Sequence, residues 1–99
     1  MNQNPLVTVI CLCYNHADYV IESLNSVINQ DYKNIELIIL DDCSSDNSVE
    51  IIDNWLQSHH EIQFVKNSVN LGNTRTFNNG LQLAKGDFII DFAADDVLK

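Results

Sequence analysis

The stretch that most constrains what this chain can fold into runs from Ile35 to Ser48, Ile-Glu-Leu-Ile-Ile-Leu-Asp-Asp-Cys-Ser-Ser-Asp-Asn-Ser. A short apolar run rich in isoleucine and leucine fits a strand buried on both faces. It stops abruptly at Asp41 and Asp42, and a loop of small polar residues follows. Asn47, with Glu50 three positions on, then reads as a helix start of the capping-box kind. A buried strand that ends in acids before a helix N-terminus is where an open α/β sheet holds its ligand. A simple polar turn, with Asp41 or Asp42 as a cap, explains one acid more easily than two, because adjacent like charges repel.

The rest of the chain repeats that alternation. Leu6 to Cys13 is a near-continuous apolar run and reads as a central strand. The polar turn Tyr14-Asn15-His16-Ala17 leads into a helix from about Asp18 to Asn29, with Val20, Leu24, Val27 and Ile28 on one stripe. Ile35 to Leu40 is the second strand. Val49, Ile52, Trp55 and Leu56 mark a second amphipathic helix ending near Ser58, and Ile62 to Val65 is a short third strand. A loop from Asn67 to Asn73 precedes a third helix with Phe77, Leu81 and Ala84 at helical spacing and Gly86 as its stop. Phe88 to Phe92 is a fourth strand, ending in Ala93-Ala94-Asp95-Asp96.

Such a βαβαβαβ pattern predicts an α/β fold. The connections are short enough to force a Rossmann-like parallel sheet through right-handed crossovers, in strand order 3-2-1-4, with helices on both faces. The crevice then lies where the strand order reverses. Tyr14-Asn15, Asp41-Asp42 and Asp95-Asp96, far apart in sequence, converge on one rim.

Charge narrows the partner. Five basic against fourteen acidic residues give a net charge of −9, which leaves no basic stripe for a nucleic acid. No apolar run approaches a membrane span, and the N-terminus lacks a signal pattern, so a cytoplasmic protein, at most peripheral to a membrane, is expected. Cys11, Cys13 and Cys43 lack the paired spacing of a zinc site and read as reduced thiols. His16, His59 and His60 are scattered, the last two at an exposed helix end.

The turn after the first strand contains no glycine, which argues against a dinucleotide-binding loop, and no Walker loop is present. A receiver domain would be expected to carry its acid pair after the first strand rather than the second. What remains is recognition of a nucleotide diphosphate by acids and a divalent metal, since carboxylate and phosphate oxygens are the hard ligands that magnesium and manganese favour.

The stretches Val7 to Asn15, Ser26 to Tyr32, Glu36 to Ser48, Asn70-Leu71-Gly72, and Gly86 to Ile89 with Ala94-Asp95-Asp96 together resemble the family 2 glycosyltransferases. The resemblance covers essentially the whole chain. It implies the N-terminal, nucleotide-sugar-binding half of a GT-A fold. Leu12, Tyr14 and Asn15 are then expected beside the base, Asp42 in contact with it, and Ser44 in the same loop. Arg75 is the match for a basic residue that approaches the phosphates, against the plain alternative of a solvated arginine at a helix start. Asp95 is expected on the ribose and Asp96 on the metal, Mn2+ or Mg2+.

The implied reaction is inverting transfer from a nucleotide-diphosphate sugar, UDP-linked by default, to a sugar or lipid-linked acceptor hydroxyl. Its carboxylate general base is expected beyond residue 99, so the chain reads as a truncated domain that does not turn over alone. A nucleotide-binding or interaction module without transfer activity is the alternative.

Several residues depart from the family pattern. Cys11-Leu12-Cys13 stands where proline and threonine are common, Cys43 where glycine is common, and Ala93 where an acid is common. Asp91, in place of an apolar strand residue, is expected to reach an open edge or a polar partner. An unpaired fourth strand would also favour self-association through Phe88 to Phe92.

Overall fold

The computed structural model describes residues 4–59 and 61–94. Its elements run β1 (Val7–Cys13), α1 (Val20–Ile28), β2 (Ile35–Asp41), α2 (Ser48–Leu56), β3 (Gln63–Lys66), α3 (Asn73–Leu83) and β4 (Phe88–Ala93). The strands form one parallel sheet in the order β3-β2-β1-β4. β1 and β2 are central, and their near-continuous apolar sequences follow from burial on both faces.

One layer of the core joins Val9, Cys11, Cys13, Leu37 and Ile39 of the sheet to Val20, Leu24 and Val27 of α1 and Ile52 of α2. The opposite layer sets Ile10, Ile38 and Leu40 against Phe77 and Leu83 of α3. Each fully buried branched side chain contributes about 1.5–3 kcal/mol.

α3 departs from its expected stripe. Leu81 is exposed, and the buried residues are Thr76 and Gly80. The reason is distance: a Cβ on Gly80 would stand 2.9 Å from Ile10 Cγ2 and 3.0 Å from Leu40 Cδ1. The helix lies close because its contact row is small, with Phe77 and Leu83 packing beside it.

The start of α2 is also corrected. Asn47 makes no side-chain cap. Asp46 does, its Oδ1 accepting from Ser48 N at 2.9 Å and also from the Ser48 hydroxyl. Strand ends shift by one residue: β1 begins at Val7, β2 runs on to Asp41, β3 spans Gln63 to Lys66 and β4 runs on to Ala93.

At the N-terminal end of the sheet, buried Thr8 donates through Oγ1 to Glu36 Oε1 (2.7 Å) and accepts from Gly86 N (2.9 Å). Gly86 is required by closeness, since a Cβ there would sit 2.7 Å from Thr8 N. β4 is an edge strand paired with β1, and Asp91 on it is exposed. Among the described residues no helix is long and apolar enough to cross a membrane.

Candidate functional site

The loops that follow β1 and β2 share the C-terminal rim of the sheet and are stitched to one another. Cys13 and Asp41 are register partners, and Asp42 N donates to Cys13 O at 2.9 Å. Asn15 takes a left-handed conformation (φ 57°), which a short amide side chain tolerates. Its Oδ1 accepts from Ser45 N (2.8 Å), Ser45 Oγ (3.3 Å) and Asp46 N (3.3 Å).

The traffic in the other direction is equally complete. Asn15 N donates to Ser44 Oγ (2.9 Å), His16 N to Ser48 Oγ (3.1 Å) and Ala17 N to Asp46 Oδ2 (3.1 Å). Successive amides ahead of α1, which a dinucleotide-binding loop would turn toward a phosphate, therefore have protein acceptors here. A phosphate group would find no free amide among these three.

The two acids of the β2 end do different work. Asp41, buried, accepts from Ser44 N through Oδ2 (2.8 Å) and from the Ser44 hydroxyl through Oδ1, which shapes its own loop. Asp42 is 4% exposed and reaches the loop ahead of α3. Its Oδ1 accepts from Leu71 N (2.7 Å) and Asn67 Nδ2 (3.0 Å), and its Oδ2 from Gly72 N (2.9 Å). Burial works to raise the Asp42 carboxyl, but hydrogen bonds from Leu71, Asn67, Gly72 and Thr76 outweigh it and hold the group below the usual carboxylate range. Asp46 is likewise held low: burial opposes, and bonds from the Ser48 hydroxyl and amide and from Ala17 N prevail, helped by the charge of His16.

The thiols face the other way chemically. Burial, reinforced by Cys13, pushes Cys11 far up, and burial together with the Asp41 charge pushes Cys13 up to about 11. Neither is a nucleophile at neutral pH.

The expected site residues fall into three groups. Tyr14, Asn15, Asp42 and Ser44 share the rim of β1 and β2, with half-buried Leu12 just below it. Arg75 is exposed on the first turn of α3, joined to that rim through the bonds of Asp42 to Gly72 and Thr76. Asp95 and Asp96 lie outside the described residues. The chain leading to them is fixed: Ala94 N donates to Leu12 O (2.9 Å), and the buried Ser23 hydroxyl donates to Ala94 O (2.8 Å). Ser23 was not among the expected residues, although its place on the Val20-Leu24-Val27 stripe of α1 marks a polar group needing a buried partner.

Among the described residues no three His, Cys, Asp or Glu side chains group to hold a metal ion. The oxygens of Asp41, Asp42 and Asp46 accept from N–H and O–H donors instead. A cavity of about 250 Å³ lies at the opposite end of the sheet between Val27, Tyr32, Leu37 and Ile62.

Residues 8–99 match the family model for glycosyl transferase family 2. An uncharacterized glycosyltransferase of Haemophilus influenzae is 37% identical over 94 residues, covering 95% of this chain and 38% of that protein. The mannosyltransferase PcManGT of Pyrobaculum calidifontis, solved with GDP-Man and Mn2+, superposes with a TM-score of 0.88 at 27% identity, over 97% of this chain and 29% of that one. Staphylococcus aureus TarS, solved with UDP-GlcNAc, superposes with a TM-score of 0.83 at 28% identity, over 93% of this chain and 27% of that one. The chain thus spans well under half the length of the proteins it matches.

Proposed function

Because the chain belongs to glycosyl transferase family 2, we propose that it is the donor-binding part of an inverting, metal-dependent glycosyltransferase, which holds a nucleotide-diphosphate sugar for transfer to the hydroxyl of a sugar or lipid-linked acceptor. The observation that carries this reading is the stitched rim. The ends of β1 and β2 are joined at Asn15–Ser44 and Cys13–Asp42, and the end of β4 is pinned beside Leu12, one residue short of Asp95. PcManGT, with the same arrangement of chain, was solved with a GDP-sugar and Mn2+.

On this reading Leu12 and Tyr14 flank the base. Asn15, whose Oδ1 is already occupied, offers its Nδ2 hydrogens, and Asp42 accepts from a base N–H. Ser44 holds the loop in place, Arg75 neutralises phosphate charge, and Asp95 binds the ribose. By the family resemblance Asp96 would take Mn2+ or Mg2+. The bound metal supplies Lewis-acid stabilisation of charge on the diphosphate. A carboxylate general base accepts the acceptor's proton. The exposed edge of β4, with Phe88 and Ile89, is proposed to pair with a second copy.

Calorimetric titration of UDP and of GDP, each with and without manganese, tests the reading. Binding that requires the metal and is lost in Asp96→Ala is expected. Metal-independent binding untouched by Asp96→Ala would leave a nucleotide-binding module in place of a transferase half.

A further inference from the structure

Asp42 is bonded in a way that a ligand contact by itself does not need. Its carboxylate takes Leu71 N at 2.7 Å, Gly72 N at 2.9 Å and Asn67 Nδ2 at 3.0 Å, and the Thr76 hydroxyl joins them. All four donors belong to one stretch, from the end of β3 to the first turn of α3. Asn67 Nδ2 also donates to Thr76 Oγ1 (3.0 Å), and Asn70 Nδ2 donates to the Asp42 carbonyl (3.1 Å). On its other side Asp42 is fixed to β1 through Cys13 O. One residue thus fastens the loop ahead of α3 to the ends of two central strands.

The conformation of that loop depends on the fastening. Gly72 sits at φ 88° and ψ 162°, a bend that glycine alone adopts readily, and there its amide meets the carboxylate. Arg75 lies between Gly72 and Thr76, inside the turn that these bonds hold.

Resting on the reading above, we propose that Asp42 is a positioning residue: its carboxylate latches the Asn67–Gly72 loop and the first turn of α3, and thereby sets Arg75 for the phosphates of the donor. Base end and phosphate end of the nucleotide then depend on one side chain. A carboxylate has about four lone-pair sites, and the chain's own donors already draw on them. With four chain donors on those sites, a base N–H has to share an oxygen of Asp42 with one of them.

A double-mutant cycle on the full chain reads the latch, with UDP as the probe, or GDP if that binds more tightly. Arg75→Ala weakens binding by about tenfold in the wild-type background, the size of a charge-assisted phosphate contact. In the Asp42→Asn background it changes affinity by less than about twofold, because the arginine is no longer held. Without nucleotide, Asp42→Asn speeds amide hydrogen exchange at Leu71 and Gly72 by at least about tenfold, whereas Arg75→Ala leaves both amides protected.

If Asp42→Asn fails to fold, Asn67→Ala removes one donor of the latch and gives the same pattern more weakly. Additive losses in the cycle, or unchanged exchange at Leu71 and Gly72, overturn the latch while leaving the nucleotide site standing. Failure of both nucleotides to bind the wild-type chain overturns the functional reading, and the inference falls with it.

Discussion

Cys43 shows how a single residue is tuned against its backbone. It follows the two acids at φ 61°, a left-handed conformation that costs a residue with a Cβ about 1–2 kcal/mol. Its thiol contact with Ser68 O is long, at 3.7 Å, and offsets little of that. Cys43→Gly is expected to stabilise the chain by up to about 1 kcal/mol after the added chain entropy of glycine is subtracted, read as a higher urea midpoint. A lower midpoint would mean that the thiol contact outweighs the strain. Asp42 gives the pH counterpart. Its folded pKa lies below its ordinary value of 3.8, so its contribution is fully present above that value and is lost as pH falls through the folded pKa. The chain therefore loses stability on acidification below about pH 4, and Asp42→Asn flattens that limb. Denaturation midpoints measured across the acid range check the sign.

Among the elements, α3 depends most on the absence of a side chain. Gly80 lies mid-helix, where alanine would gain about 1 kcal/mol of propensity. Here the new methyl would meet Ile10 Cγ2 at 2.9 Å and push the helix off the sheet. Gly80→Ala is expected to destabilise by about 1–3 kcal/mol in chemical denaturation, overpacking winning over propensity. α1 carries a polar tie of similar consequence. Ser23→Ala leaves the Ala94 carbonyl without its buried donor, at a cost of about 1–3 kcal/mol. Because Ala94 precedes Asp95 directly, that variant is also expected to weaken metal-dependent nucleotide binding, which titration would show.

Across the whole molecule, the two ends of the sheet have separate duties. The N-terminal end is closed by Thr8, Glu36 and Gly86, while the C-terminal rim gathers Tyr14, Asn15, Asp42 and Ser44. Among the described residues β4 is an edge strand, with Phe88 60% and Ile89 39% exposed, enough apolar strand to attract another edge. Light scattering at rising concentration is expected to show self-association, and Ile89→Lys to abolish it. A chain that stays monomeric at every concentration would show that the charge of Asp91 already guards this edge.

The layout of this fold was legible before any coordinate. Apolar runs beside helical stripes set the alternation, and short connections with right-handed crossovers leave the strand order 3-2-1-4 as the outcome. That order brings Tyr14, Asn15 and the Asp41–Asp42 pair to one rim, because strand ends follow strand direction. The tertiary structure decided which groups bond to which. It moved the cap of α2 from Asn47 to Asp46, turned Gly80 rather than Leu81 to the sheet, added Ser23, and tied Asp42 to Leu71 and Gly72. The physical reason is range. Periodicity reports burial within a turn or a strand, whereas the donors of Asp42 lie 25 to 34 residues away and meet it only when the β2–α2–β3 crossover has packed. The sequence alone therefore determined where the polar groups gather, and only packing decided what each of them holds.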